Sequence, residues 1–374
     1  MATSTKSYRV RIGGVADGGN PTPDLSPRAA FERWLGRLRA SKADLTVSGY
    51  HYQLKLFIEF CEQEGITSID DLSGWDIDTY ETHRRKKGVE LNSLSKELGT
   101  LKRFLEYCAR IEVVDESLPE KVDPPDVPRD AQVDETRLEP HRASALLSYY
   151  DEHAYGTRPH ALLTLAWYVG ARLGALRGLD IDDYDSDEAY LEFIHRPRED
   201  TPLKNGADGE RAVGLSREVC DVLDAYLEGE RHENYDDYGR RPLFTSEVGR
   251  GSRSAIRSWT YLATVPCLHT ECPHGHDPET CEYLDYSKSS QCPSSRSPHQ
   301  VRTGSITWQL NRGVPIEAVA ERVNTSVRTL KRHYDQPTKR EELEERRREH
   351  VDKLGFDEDE DDQDAVGENG GEQE

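Results

Sequence analysis

The chain has 374 residues, 35% of them hydrophobic, and its 71 acids against 49 lysines and arginines give a formal charge of −22. That length is enough for two ordinary domains, each with its own buried core. No apolar run approaches membrane-spanning length, and Met1 to Asn20 carries neither a signal-type apolar stretch nor a basic amphipathic helix, so the sequence reads as cytoplasmic, with no membrane association.

Residues 1–25, rich in Gly, Pro and Ser, read as a flexible arm. Ser26-Pro27 is an N-cap and first-turn pair, so a helix is expected to start there. Phe31, Trp34, Leu35 and Leu38 recur at helical spacing, as do Tyr50, Leu54, Phe57, Ile58 and Cys61 in a second segment closed by Gly65. A third helix is expected from about 73 to 87, and a fourth carries Leu94, Leu98, Leu101, Leu105 and Cys108 on one stripe. Residues 26–118 therefore read as a helical bundle with these stripes as its core. His83, Arg84, Arg85, Lys86 and Lys87 form the densest basic cluster of the chain, at the end of the third helix. Such a run suits the C-terminal pole of a helix dipole, and it equally suits contact with DNA phosphates. Residues 119–137, with prolines among acids and no periodicity, read as an extended linker.

Beyond the linker, residues 143–150 and 159–169 are apolar helical stretches, and Gly170 closes the second so that Arg172 opens the next turn. Residues 189–195 alternate as a strand, Asn205-Gly206 and Asp208-Gly209 supply turns, and residues 212–215 return. A hairpin or small sheet is expected, with Lys204 just before its turn and Arg196 and Arg198 near by as alternative cations. Ser297-Pro298 caps a helix that ends near Gly313 and sets His299 and Arg302 at i and i+3 on one face. Residues 316–323 form a further helix, Asn324-Thr325-Ser326 breaks and recaps it, and residues 327–333 deliver Tyr334. The fold class is mainly α (α+β): a helical bundle, then a mostly helical domain with a small antiparallel sheet.

Four separated pieces carry the chemistry: Gly170-Ala171-Arg172, Leu203-Lys204-Asn205-Gly206, Pro298-His299-Gln300-Val301-Arg302 and Arg332-His333-Tyr334. Attack on a phosphodiester builds negative charge on its non-bridging oxygens, which two guanidiniums can bind in forked geometry, the role open to Arg172 and Arg302. A phenol ordinarily titrates near ~10 and a sugar hydroxyl is a poor leaving group, so one proton must be removed and another supplied. His299 and Lys204 are the candidates. A covalent phosphotyrosine keeps the bond energy for rejoining without ATP, in agreement with the lack of a nucleotide-binding loop in the sequence.

In this order and at these separations the residues resemble the tyrosine recombinase (phage integrase) family, Xer-like and of haloarchaeal type, over about residues 26–345. The resemblance implies a site-specific recombinase or integrase that cleaves and rejoins double-stranded DNA through a 3′-phosphotyrosine. It implies a SAM-like core-DNA-binding domain over 26–118 that clamps DNA, a catalytic domain over 138–345, a homo-tetramer at synapsis, and neither ATP nor a catalytic metal. Two positions depart from the family. Many members have a glycine and then a histidine or tryptophan nine residues before the nucleophile; here Asn324 and Thr325 stand there, with an amide or hydroxyl that can still donate to a phosphate oxygen. The acid common three residues after the first arginine is replaced by Ala175, so Arg172 has to be oriented from elsewhere. Read without their neighbours, residues 316–334 also fit a helix-turn-helix, which makes a non-cleaving, zinc-containing DNA-binding regulator the alternative.

Residues 264–294 form an additional Cys/His-rich insertion. Cys267, Cys272, Cys281 and Cys292 are interleaved with His269, His274 and His276, a donor set suited to tetrahedral structural zinc. Their spacings are looser than paired CxxC knuckles, and free thiols in a surface insertion are the alternative. Residues 346–374 read as an acidic disordered tail whose last 18 residues hold ten acids and no lysine or arginine, less than half of the −22. Lysine is scarce, 13 residues against 36 arginines, as on a halophile's surface. In concentrated salt the Debye length falls to ~3 Å, so repulsion between acids and DNA is screened and close contacts must do the binding.

Overall fold

The computed structural model describes residues 24–128 and 136–334, together with Leu343, and the chain divides into two units, Met1–Asp134 and Glu135–Glu374. The acidic tail and all but the last two residues of the expected arm lie outside the described residues. Among those described, no helix is long and apolar enough to cross a membrane.

In the first unit four helices, α1 (Pro27–Arg39), α2 (Asp44–Gln63), α3 (Gly74–Lys86) and α4 (Leu91–Arg110), form the expected bundle. Ser26 caps α1 by accepting from the Ala29 N–H, and Ser73 and Asp76 make a reciprocal capping box at α3. Phe31, Trp34 and Leu35 meet Leu54, Phe57 and Ile58 of α2 and Leu98, Leu101, Phe104 and Leu105 of α4 in one core. Both ends of the bundle reach further than the sequence suggests. Leu25, assigned to the arm, packs against the core, and its carbonyl accepts from Ile69. Leu118–Lys121, which carries the bundle into the linker expected from residue 119, is a 3-10 turn with Leu118 and Pro119 buried, and Val122 is fully inside. Pro119 opens this turn instead of extending the chain, and the apolar residues on either side of it anchor the segment.

The second unit is built around α6 (Arg158–Val169), which is buried on nearly every side and packs against α5 (Pro140–His153), α8 (Arg217–Glu228), α9 (Arg253–Ala263) and α10 (Pro298–Asn311). The short α7 (Leu173–Gly178) follows α6 directly. An antiparallel sheet has the order β1 (Tyr184–Asp185), β2 (Tyr190–Phe193), β3 (Arg211–Gly214), with Leu191 opposite Val213 on the core face. The strand β1 and a separate hairpin of β4 (Thr245–Ser246) and β5 (Gly249–Arg250) are additions to the sequence reading; two-residue strands leave no alternation to detect. A smaller core joins Ile306 and Leu310 of α10 to α11 (Ile316–Arg322) and α12 (Val327–His333) through Val319, Val323, Leu330 and Tyr334.

Candidate active site

The four chemical pieces of the sequence meet where α6 and α11 end. Gly170 terminates α6 at φ +64°, and a Cβ there would lie 2.9 Å from Ser305 Oγ and 3.1 Å from Val323 Cγ1, so the close approach of α10 and α11 needs glycine. That approach lets Arg302 of α10 donate Nη1 to the carbonyls of Gly170 at 2.6 Å and Val323 at 2.8 Å. The Arg302 side chain is almost wholly enclosed, and its Nε and Nη2 have no hydrogen-bond partner. Its Cζ lies 5.5 Å from the centre of the Tyr334 ring. Burial pushes this guanidinium down to about 10, with Arg172 adding to the effect and the Tyr334 phenol opposing it.

Arg172 caps α7 and donates Nη1 to the Asn324 carbonyl at 2.5 Å; burial lowers it too. The carbonyl end of α11 therefore supplies the orientation that an acid at the position of Ala175, itself buried, would otherwise give. Tyr334 closes α12, 7% exposed, and its carbonyl accepts from Thr307 Oγ1 at 3.2 Å. The His299 ring, on the first turn of α10, stands edge-on to the Tyr334 ring at 5.8 Å. Lys204 is exposed on the loop between β2 and β3, and its carbonyl accepts from Asn324 Nδ2 at 3.1 Å. Thr325 lies half-buried at the junction of α11 and α12.

Two further arginines join this group that the sequence reading did not single out. Arg211 heads β3, donates Nε to the Arg322 carbonyl at 2.8 Å and Nη1 to the Gly209 carbonyl at 3.0 Å, and covers the Phe193 ring at 4.1 Å. Burial pushes it down to about 10, with Arg302, Arg172 and Arg322 adding to the shift. Arg322 donates Nη1 to the Gly214 carbonyl at 2.9 Å and lies over Tyr168. None of these four guanidiniums forms an ion pair with a carboxylate among the described residues, in a chain of net charge −22. No local signal marks Arg211, because a four-residue strand does not tell an inward arginine from an outward one. Arg196, an alternative to Lys204 in the sequence reading, is instead tied to Asp183 at 2.5 Å and lies 3.5 Å from Asp180.

The basic cluster of α3 divides in a similar way. Arg84, one of the cations read from sequence as suiting either the helix dipole or a phosphate, grips Glu97 of α4 through two 2.8 Å hydrogen bonds, both side chains 12% exposed, and so braces the bundle. Arg85 pairs with Glu81 at 2.7 Å, and the His83 ring lies 6.1 Å from Phe60. Arg85, Lys86 and Lys87 are all exposed, and among the described residues Lys86 and Lys87 form no ion pair.

Cys267, Cys272, Cys281 and Cys292 are free and half-buried. Burial raises the Cys267 thiol, and the other three thiols are near enough to raise it further. Among the described residues no three His, Cys, Asp or Glu side chains come together in an arrangement that could hold a metal ion, so these donors do not form a closed ligand set. His274 Nε2 is 3.0 Å from Ser294 Oγ, the His276 ring is 5.6 Å from Tyr283, and His269 Nε2 is enclosed without a hydrogen-bond partner.

Residues 31–111 match the family model described as phage integrase, N-terminal SAM-like domain. Over 312 residues the chain is 23% identical to tyrosine recombinase XerC of Leptospira interrogans, covering 80% of this chain and 86% of that one. A crystal structure of the N-terminal domain of a phage integrase/site-specific recombinase from Haloarcula marismortui is 48% identical and covers 28% of this chain and 99% of its own, with a TM-score of 0.27. The Tn1549 transposon integrase, solved in complex with a circular intermediate DNA, is 15% identical and covers 88% of this chain and 100% of its own, with a TM-score of 0.59. In sequence and in fold, the chain belongs to the tyrosine recombinase (phage integrase) family.

Proposed function

We propose that the protein is a site-specific recombinase that cleaves and rejoins double-stranded DNA through a 3′-phosphotyrosine on Tyr334, without ATP or a catalytic metal. The observation that carries this reading is Arg302, a buried cation beside a tyrosine with two enclosed donors left over. An unpaired buried charge is costly, and groups perturbed in this way concentrate where a ligand completes the site. A scissile phosphate supplies what is missing: its non-bridging oxygens take Nε and Nη2 of Arg302 and the free face of Arg172, with Arg211 behind them. Tyr334 Oη attacks phosphorus, the phenolic proton passes towards His299, and the P–O5′ bond breaks as Lys204 protonates the leaving oxygen. A 5′-hydroxyl from a second strand reverses the step, which needs four protomers at synapsis. Lys86 and Lys87 serve as phosphate contacts of the first unit, and Thr325 as a hydroxyl donor at the site. The acidic, lysine-poor composition fits cytoplasmic work in concentrated salt, so assays belong under those conditions.

The test is a suicide substrate from which the cleaved strand cannot be rejoined. Wild type is expected to give a denaturant-resistant DNA adduct and Tyr334→Phe none, with site binding retained because only the phenolic oxygen is lost. A wild-type protein that binds its site and never becomes attached would overturn the assignment in favour of a non-cleaving regulator.

We also propose that Cys267, Cys272, Cys281 and Cys292, with His269, His274 and His276 as alternates, close around a structural zinc. Supporting this, the segment between α9 and α10 contains only short 3-10 turns, Pro266–Leu268, Glu282–Leu284 and Ser289–Gln291, and its buried residues lie at its two ends, Thr264, Val265 and Pro266 beside α9 and Ser289 and Ser295 towards α10. Such a segment has no apolar core of its own, and metal ligation is a source of order that needs none. Elemental analysis should find about one zinc per chain, in line with a single tetrahedral site. Cys272→Ser or Cys281→Ser should release it and lower the melting temperature. Absence of metal, with all four thiols freely titratable in the folded protein, would sink the idea.

A further inference from the structure

We propose that Asn324 is a positioning residue that locks the turn carrying Lys204 onto the carbonyl end that holds Arg172. It stands at φ +52°, in the left-handed region, directly after α11. Asparagine tolerates that conformation better than most residues with a side chain. Its backbone N–H donates to the Glu321 carbonyl of α11, and its other three polar atoms all reach functional neighbours. The carbonyl accepts from Arg172 Nη1 at 2.5 Å, Nδ2 donates to the Lys204 carbonyl at 3.1 Å, and Oδ1 accepts from Asn205 Nδ2 at 3.0 Å.

The turn is shaped to receive this amide. Asn205 and Gly206 both have positive φ, at 79° and 65°, which curls the chain so that the Lys204 carbonyl faces Asn324. A Cβ on Gly209 would lie 2.6 Å from Asn324 Nδ2 and 2.7 Å from the Lys204 carbonyl oxygen, so the amide occupies the space that glycine leaves. Without this link the exposed Lys204 would sit on a loop whose tip has no other described side-chain tie to α11 or α12. Two hydrogen bonds from one side chain, separated from the turn by 119 and 120 residues, therefore fix the base of Lys204 while leaving its ammonium free to reach a leaving oxygen. A glycine at 324 would keep the backbone conformation and the hold on Arg172 but would not grip the turn.

This inference rests on Lys204 as the proton donor, and the experiment separates the two ideas. Single-turnover cleavage is measured on a suicide substrate with the ordinary 5′-oxygen leaving group and on one with sulfur at that bridging position. A thiol leaves as thiolate, with a free pKa near ~8.5, so it needs no acid. Lys204→Ala and Asn324→Gly should both slow the oxygen substrate, Asn324→Gly by about tenfold or more as expected for a displaced proton donor. Both should recover to near the wild-type rate on sulfur. Asn205→Gly, which removes one of the two bonds and keeps the positive φ, should show the same pattern to a smaller extent. If Lys204→Ala recovers on sulfur and Asn324→Gly is equally slow on both substrates, or is as fast as wild type on oxygen, Asn324 is not the positioning residue and Lys204 keeps its role. If Lys204→Ala itself fails to recover, the proton-donor reading falls and takes this inference with it.

Discussion

Two groups of arginines lie within the second unit, and they differ in what holds them. Arg196, Arg240 and Arg250 are paired with acids: Arg250 bridges Asp180 and Asp236, Arg240 reaches Asp180 at 3.2 Å and Asp236 at 3.1 Å, and Arg196 reaches Asp183. Arg172, Arg211, Arg302 and Arg322 are held by main-chain carbonyls instead. Both groups are substantially buried, so burial alone does not separate them. The partner does. In the first group each charge is met inside the protein, and the network ties the β4–β5 hairpin to the segment after α7. In the second, partial negative charge orients the guanidiniums without neutralising them, which leaves an anion to be supplied from outside.

The largest contrast should come from Arg302→Met. Cleavage is expected to fall by about 10²–10³-fold, the usual cost of losing one transition-state donor. Stability should change little, because relief of an uncompensated buried charge offsets two lost hydrogen bonds. Single-turnover cleavage and a thermal melt of the same preparation measure both.

Arg250→Met should do the reverse within the paired group. It leaves Asp180 and Asp236 buried and short of a cation, a change that costs about 3–5 kcal/mol. Burial already pushes Asp180 up against the pull of Arg250 and Arg240, whereas Asp236 is held below the usual carboxylate range because the Arg240 N–H and the Arg250 guanidinium outweigh its burial. Denaturant unfolding gives the cost; if it is no greater than for Arg302→Met, the distinction between the two groups is lost.

Gly170→Ala should have the smallest effect and sharpen the contrast from the backbone side. The added methyl meets Ser305 and Val323 in a left-handed conformation, with strain of about 1–3 kcal/mol. Since the Gly170 carbonyl holds Arg302, cleavage should fall more than the loss of stability explains, and rates measured well below the melting temperature test this.

Local order was largely legible in the sequence. Ser26, Ser73, Ser297 and Ser326 each stand at the N-cap of an observed helix, and the stripes at Phe31, Leu54 and Leu98 all enter one core. Caps and periodicity act within about four residues along the chain, so they can be read without knowing the fold. The four chemical pieces were visible as well, because helix phase puts His299 and Arg302 on one face and the break at Asn324 sets where α12 delivers Tyr334. What tertiary structure alone decided is which partner each charged group meets. Arg172 finds the Asn324 carbonyl across 152 residues, Arg211 finds Arg322 across 111, and Arg84 meets Glu97 on the neighbouring helix and not solvent. A guanidinium's role depends on whether a carboxylate or a carbonyl lies opposite it, and that is set by how distant segments pack, for which an isolated arginine in a sequence carries no mark.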